Sequence, residues 1–131
     1  MRYHQPTFTV LCISIGVFMF SGCARLQPPV TVQPQAGAST IVVKASDYKF
    51  EPNNIKVRQG EPVVFVVENL SDKKHNFSVK DPSGKSVVSV DLPPKSTERT
   101  KVTFVSPGAY ELYCDEPFHS TLGMKGKITA E

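Results

Sequence analysis

The stretch "YCDEPFHSTLGMKG", residues 113–126, holds a cysteine, a histidine and a methionine at equal spacing. Cys114, His119 and Met124 follow one another at intervals of five residues. Thiolate, imidazole and thioether groups are ligands of soft transition metals such as copper. The segments on either side, "AYELYC" and "MKGKITAE", have the composition of strands. The three side chains would therefore share one loop between two strands, which makes this stretch a candidate metal-binding loop.

The region from residue 41 to residue 131 is typical of an all-β domain. It consists of short runs rich in β-branched and aromatic residues, interrupted by Pro, Gly, Asn and Asp, and it shows no helical periodicity. Turn signals recur every eight to twelve residues or so, which predicts a Greek-key β-sandwich or barrel of about eight strands. The run "PVVFVV", residues 62–67, is apolar on both faces and should be a central strand.

Alternation along "AYELYC" places the candidate cysteine at the inner end of a strand. Tyr110, Leu112 and Cys114 would face the core, whereas Glu111 and Tyr113 would face the other way. Cys114 would then lie inside the domain at the point where the loop begins.

The first 22 residues are predicted to be a lipoprotein-type signal peptide. The apolar run from Phe8 to Phe20 is shorter than the roughly 20 residues that span a bilayer. The residues Ser21, Gly22 and Cys23 that follow resemble the lipobox of bacterial lipoproteins, in which the cysteine is lipidated after cleavage. Phe20 departs from the leucine usual there, and an ordinary signal peptide remains the alternative.

Residues 23–40 would then comprise the lipidated Cys23 and a tether rich in proline and glutamine. The tether has no apolar period, and we expect it to be extended and semi-stiff. At about 3 Å per residue it would hold the domain some tens of ångströms from the membrane surface. The domain itself would occupy residues 41–131.

The exported part of the chain keeps few residues that can bind a soft metal. Cys12 and His4 lie in the signal peptide, and Cys23 would be lipidated, so no disulfide can form within the domain. The candidates that remain are His75, Cys114, His119 and Met124. One cysteine, two histidines and an axial methionine are the ligand set of a blue-copper site.

Each of these residues also has an ordinary interpretation. His75 lies in the charged segment "DKKHNF" and alone would be taken for an exposed residue. Cys114 alone would be a small buried hydrophobic residue, and Met124 alone would fill the core. The equal spacing of the three loop residues, with a single histidine left to complete the set, favours a metal site.

Two longer segments resemble the cupredoxins, the blue-copper family that includes plastocyanin, azurin, rusticyanin and auracyanin. "YKFEPNNIKVRQGEPVVFVVENLSDKKHNF" is similar to the amino-terminal half of the family, which leads to its first histidine. "PGAYELYCDEPFHSTLGMKGKITAE" is similar to the family's ligand loop, with rusticyanin-like spacing. The resemblance covers residues 41–131. Phe118 departs from it, since many relatives have glycine there.

The resemblance implies a role for each matched residue. One copper ion would be bound by the residues His75, Cys114, His119 and Met124, with Met124 as the axial ligand. Asn76 would support the site by bonding the backbone at Asp115, unless it is merely a turn residue. Tyr110 would pack inward, and its hydroxyl would hold a nearby loop.

The implied function is one-electron transfer by cycling between Cu(II) and Cu(I). Pro117, Phe118 and Leu122 flank His119 and would form an apolar patch for brief docking with redox proteins. Such partners would be cytochromes or oxidase, photosynthetic or respiratory complexes, on the exported face of a membrane that holds the lipid anchor. An exported copper carrier, or chaperone, that delivers copper to an oxidase or homeostasis system is the alternative.

Other functions fit the sequence poorly. Copper enzymes of this kind need further histidines, and the two-copper site of oxidase subunits needs a second cysteine in the loop, so we expect no enzymatic activity. The formal net charge is only +3, and no basic stripe interleaved with aromatic residues is present, so nucleic acid is not an expected partner. We expect a monomer.

Overall fold

The structure is a computed structural model that describes residues 26–31 and 38–131 of the 131-residue chain. These residues form ten strands. The strands are β1 (Val30–Thr31), β2 (Ser39–Ser46), β3 (Lys49–Glu51), β4 (Asn54–Val57), β5 (Pro62–Asn69), β6 (His75–Lys80), β7 (Ser86–Leu92), β8 (Thr97–Thr103), β9 (Gly108–Tyr113) and β10 (Lys125–Ala130). Within the described ranges there is no helix of the length and apolarity needed to cross a membrane.

The strands form two sheets. One sheet has six strands in the order β1-β4-β10-β9-β6-β7, and the other has four in the order β3-β2-β5-β8. The pairs β1–β4, β4–β10 and β2–β5 are parallel, and the other pairs are antiparallel. The all-β fold class predicted from the sequence is confirmed.

The core is made of alternate residues from the strands of both sheets. Phe65 lies near its centre, with its ring centroid 5.2 Å from that of Phe77 and 6.3 Å from that of Phe104. All three rings are fully buried. At roughly 1.5–3 kcal/mol for each large apolar side chain removed from water, this aromatic cluster contributes substantially to the stability of the scaffold.

Several predicted details of the strands are confirmed. β5 contains the apolar run 62–67 and lies between β2 and β8, so it is an interior strand of its sheet. In β9 the side chains of Tyr110 and Leu112 are buried, whereas Glu111 is exposed. The Tyr110 hydroxyl donates a hydrogen bond to the carbonyl of Ser106, 2.8 Å away, and so holds the preceding loop.

The segment before the domain differs from the free tether that its composition predicts. Residues 26–31 lie along the edge of the six-stranded sheet, where Val30 pairs with Ile55 and Thr31 with Lys56. Hydrogen bonds from neighbouring backbone and side-chain groups hold this segment. Sequence patterns do not predict a strand of two residues that follows two prolines. The next strand begins at Ser39, slightly before the expected boundary. The predicted signal peptide and Cys23 lie outside the described residues.

Candidate metal centre

The predicted ligands meet at one end of the sandwich, which we call the site end. β9 ends there at Tyr113, β10 begins there at Lys125 and β6 begins there at His75. β9 is hydrogen-bonded to both β10 and β6, so the loop between β9 and β10 closes over the start of β6.

Three donor atoms lie close together at the site end. The Nδ1 atoms of His75 and His119 are 3.1 Å apart, and the Cys114 Sγ is 3.5 Å from the His119 Nδ1. All three donor atoms lie within 4.8 Å of one another. His75 and Cys114 are buried, and His119 is partly exposed. The sequence predicts that these residues share one site, and the fold brings His75 and His119 together across 44 residues of chain.

The backbone of Met124 is hydrogen-bonded to two of the other predicted ligands. Its carbonyl accepts a hydrogen bond from the Cys114 amide at 3.1 Å, and its amide donates to the His119 carbonyl at 2.9 Å. Its side chain is fully buried. The loop from residue 114 to residue 124 is therefore closed at its base and internally bonded, which fixes the relative positions of three of the four predicted ligands.

The other ring nitrogen of His75 has polar partners. Its Nε2 lies 3.0 Å from the Asp47 carboxylate and 3.1 Å from the Ser71 hydroxyl. A proton on Nε2 that is donated to Asp47 leaves the Nδ1 lone pair facing His119 and Cys114. Carboxylates commonly orient metal-binding histidines in this way. Burial lowers the pKa of His75, an effect that the hydrogen bond to Asp47 opposes.

Asp47 belongs to a small polar cluster beside the site. Lys73 forms an ion pair with it at 2.9 Å and hydrogen-bonds the Tyr48 hydroxyl at 3.1 Å. The hydrogen bonds from Lys73, and then from Ser71, lower the pKa of Asp47 to about 2, so the group is a carboxylate at neutral pH. The Tyr48 ring packs edge-on against His119, with centroids 4.9 Å apart. Sequence reasoning missed Asp47 and Tyr48.

The loop from residue 70 to residue 74, which leads to His75, is held by Asn69. The buried Asn69 amide group donates to the carbonyls of Lys73, Leu92 and Pro93 at 2.8–2.9 Å. Its side-chain oxygen accepts from the Ser71 amide at 3.0 Å. An asparagine in a strand gave no signal in the sequence, because its long-range partners are backbone groups that become neighbours only in the fold.

Asn76 supports the site in a different way from the one predicted. Its backbone N–H donates to the Cys114 Sγ at 3.3 Å. Its side-chain amide donates to Ser89 and Asp91, and its side-chain oxygen accepts from Ser78. The predicted hydrogen bond to the backbone at Asp115 is not among the hydrogen bonds of the described residues. Successive side chains of a strand point to opposite faces, so Asn76 lies on the face opposite His75, where it meets Ser89 and Asp91 of β7.

The charges next to Cys114 are partly compensated. Lys74 forms ion pairs with Glu116 at 3.1 Å and with Asp91 at 3.2 Å. Burial raises the pKa of the Cys114 thiol, and the negative charges of Asp115 and Glu116 add to that increase. A metal ion must therefore displace the thiol proton to bind the sulfur, as metal binding to cysteine generally requires.

Three apolar residues of the loop that contains His119 are exposed to solvent. Phe118 is 79% exposed and Leu122 is 57% exposed, and Pro117 is also exposed. These residues lie within three positions of the partly exposed His119 along the loop. Contiguous exposed apolar surface, unlike single apolar residues, commonly marks a site of interaction.

The donor set fits one soft or borderline metal ion. Two imidazole nitrogens and one sulfur lie near enough together for one ion to bind them all, since metal–nitrogen and metal–sulfur bonds are about 2.0–2.3 Å long. The combination of two histidines with one cysteine and a nearby buried methionine is that of blue-copper sites. Residues 10–130 match the family described as "Cupredoxin-like domain".

The chain belongs to the cupredoxin-like family. A cupredoxin-like chain of this kind implies copper as its metal, in agreement with the donor set. The fold of this chain is similar to that of auracyanin A, a "blue" copper protein from the green thermophilic photosynthetic bacterium Chloroflexus aurantiacus. The TM-score is 0.63 with 19% identity, over 79% of this chain and 100% of the auracyanin chain. At this identity the likeness concerns the fold.

Two curated relatives show the range of proteins that contain such a domain. This cupredoxin is 37% identical to the chloroplastic plastocyanin of Hordeum vulgare, over 61% of this chain and 53% of the plastocyanin. It is 29% identical to cytochrome c oxidase subunit 2 of Thermus thermophilus, over 65% of this chain and 59% of the subunit. The chain thus spans little more than half the length of these relatives.

Proposed function

We propose that this cupredoxin is a mononuclear type 1 copper protein that carries single electrons between redox partners. The observation that supports this most directly is the convergence of His75, Cys114 and His119 in one buried site. In the proposal these residues bind one copper ion, and the buried Met124 completes the set as a weak axial ligand. Copper held in this way can accept and release one electron.

The chain's own residues would keep that site rigid during electron transfer. The hydrogen-bonded loop 114–124 fixes Cys114, His119 and Met124, and Asp47 and Ser71 fix the ring of His75. The Asn76 N–H bonds to the Cys114 sulfur and withdraws negative charge from it. A site that changes little between two oxidation states has a small barrier to electron exchange, because few atoms need to move.

A role as carrier is favoured over a role as enzyme. The described residues contain one group of three metal-binding His, Cys, Asp or Glu side chains, and both described histidines belong to it. The exposed part of the loop beside His119 carries the apolar side chains of Phe118 and Leu122. We propose Pro117, Phe118 and Leu122 as the contact surface for redox proteins such as cytochromes or oxidase, photosynthetic or respiratory complexes.

We further propose that the protein acts as a monomer on the exported face of a membrane, with Cys23 as the lipid anchor. The support is the apolar run from Phe8 to Phe20 followed by Ser21, Gly22 and Cys23. Mass spectrometry of the protein purified from membranes would detect the acyl chains on Cys23. A Cys23→Ala variant should then be recovered from the soluble fraction.

The electron-carrier function is tested by loading residues 26–131 with Cu(II) and recording optical and electron paramagnetic resonance spectra. We expect an intense visible thiolate-to-copper band that disappears on reduction, and reversible voltammetry. Cys114→Ser should abolish the band, whereas Met124→Leu should keep it and raise the potential because a weak ligand of the copper is lost.

The same preparation tests the alternative of a copper carrier. A colourless protein that binds only Cu(I) and quickly loses it to a modest chelator would contradict electron transfer and support copper delivery. The burial of Cys114 and Met124 argues for slow metal exchange and thus for the electron carrier.

A further inference from the structure

The amino-terminal segment 26–31 is fixed to the domain at the site end. The backbone N–H of Gln27 donates to the Asn53 side chain at 2.9 Å, and the Asn53 N–H donates back to the Gln27 side chain at 3.3 Å. The side-chain amide of Asn54 donates to the backbone carbonyl of Gln27 at 2.9 Å. Three hydrogen bonds thus hold one residue of a segment that composition alone assigns to a free tether.

The direction of the strands defines where the preceding chain leaves the domain. β1 is parallel to β4, and β4 is parallel to β10, with Asn54 paired with Lys127. β10 begins one residue after Met124 and runs away from the site end, so β1 also runs away from it. Leu26, the first described residue, therefore lies at the end of the segment that faces the site end, about 10 Å to the side of β10 at roughly 4.8 Å per strand spacing.

The surface at this point suits a bilayer. We define the amino-terminal edge as the surface formed by Leu26, Val30, Lys125 and Lys127. Leu26 is 49% exposed and Val30 is 46% exposed, and Leu26 lines a shallow cleft together with Lys125 and Lys127. Apolar side chains beside lysines match the interface of a membrane that contains anionic lipids.

We propose that this cupredoxin is held with its site end facing the membrane and its amino-terminal edge in contact with the lipid surface. The proposal rests on the membrane anchoring proposed above. Cys23 precedes Leu26 by three residues, which can span at most about 10 Å. With residues 26–31 fixed to the sheet, the segment cannot act as a long spacer. The anchor therefore holds the site end, and not the opposite end, close to the bilayer.

The absence of tryptophan from the sequence provides a direct test. Leu122→Trp introduces a single tryptophan at the site end, and Val105→Trp introduces one in the loop before β9 at the opposite end. Both positions are largely exposed, at 57% and 73%. The full chain, acylated in a bacterial host, is placed in vesicles of phosphatidylcholine and phosphatidylglycerol that contain a dansyl-headgroup lipid. Energy transfer from tryptophan to dansyl is then measured with the copper reduced.

We expect the transfer efficiency to be at least twofold higher for Leu122→Trp than for Val105→Trp. Equal efficiencies, or a higher efficiency for Val105→Trp, would overturn the proposal, as would a full-length protein that does not bind the vesicles. The visible spectrum of the same samples reports the copper site separately. A protein that has the visible copper band but shows equal transfer efficiencies at positions 122 and 105 would contradict the proposed orientation and leave the copper site supported.

A variant of the hydrogen-bonded segment tests the cause of the orientation. Asn53→Ala removes the side chain that accepts from Gln27 and should bring the ratio of the two efficiencies towards one while the visible spectrum is kept. Gln59→Ala is the matched control, because it removes one amide hydrogen bond, to the Val105 carbonyl, at the opposite end. An unchanged ratio in Asn53→Ala would show that the docked segment does not orient the domain and would overturn the argument.

Discussion

At the scale of single residues, the unexpected contact of the site is the one between Asp47 and His75. A buried imidazole is oriented by a carboxylate 28 residues earlier in the chain. Asp47 also pairs with Lys73, so its charge is balanced while its oxygen still accepts from His75. Asp47 thereby combines two influences on a bound copper ion, the orientation of a ligand and a negative charge close to the metal.

The two influences can be separated by substitution. Asp47→Asn keeps an acceptor for the His75 N–H but removes the charge, and Asp47→Ala removes both. Both variants should raise the reduction potential by tens of millivolts, because a nearby negative charge favours Cu(II), and Asp47→Ala should also broaden the copper resonance signal. Asp72→Ala is the control, since Asp72 is almost fully exposed and pairs with Lys95. Equal potentials in Asp47→Ala and Asp72→Ala would contradict this role.

The site residues differ in how far the sequence predicts them. Cys114, His119 and Met124 share one loop, and their spacing alone indicates the site; His75 follows because few histidines exist. Asp47 carries no such signal, because an aspartate in a turn is common and its partner lies far along the chain. Asn76 was assigned the wrong side-chain partner because only the register with β7 determines which groups its amide meets.

At the scale of elements, the junction of β4 and β10 leaves no room for a side chain. A Cβ built on Gly126 would lie 2.3 Å from the carbonyl oxygen of Asn53. The same carbonyl accepts from the Lys127 amide at 2.8 Å, so it is held in place. Gly126 therefore permits the close approach that joins the ligand loop to the strand beside the amino-terminal segment.

Gly126→Ala should destabilise the domain by about 1–3 kcal/mol, because the backbone of β4 has to move away. The free energy of unfolding, from denaturant titration of the metal-free protein, measures this effect. Lys125→Ala, at the exposed neighbouring position, should change it by less than about 0.5 kcal/mol. An equal free energy of unfolding for Gly126→Ala and Lys125→Ala would show that β4 can move away from β10 without loss of stability.

The strands follow the sequence closely, and the exceptions have a physical reason. Long strands such as β5 and β9 were predicted because their alternation reflects burial on one or both faces. β1 was not predicted because a strand of two exposed residues shows no alternation of buried and exposed side chains. Its position depends on side-chain amides of Gln27 and Asn53, whose pairing no local pattern contains.

At the scale of the whole molecule, the two ends of the sandwich have different surfaces. The site end exposes Phe118 and Leu122 around His119, whereas the opposite end exposes Val105 in the loop before β9. Phe118 adopts a φ of 67°, a conformation that glycine adopts without strain. A strained and exposed aromatic side chain adds little to the stability of the folded domain. We therefore expect Phe118 to act through contacts with other molecules.

Phe118→Gly should keep the colour and the stability of the protein but slow its electron exchange severalfold. The reason is the loss of apolar contact at the edge through which His119 would pass electrons. Electron self-exchange between reduced and oxidised copies, measured by nuclear magnetic resonance line broadening, tests this. Val105→Ala is the matched control at the opposite end and should leave the rate unchanged. An equal decrease in both variants would contradict a docking role for the patch.

The paths by which the chain enters and leaves the sandwich also determine how the protein can be mounted on an electrode. Residue 131 lies at the opposite end, where its carbonyl accepts from Gln59 and its amide donates to Val57. A thiol linker placed after residue 131 would attach the molecule to gold with its copper site directed towards the electrolyte. A linker placed before Leu26 would turn the same site towards the metal, and the current from the two orientations should differ without any change in the protein core.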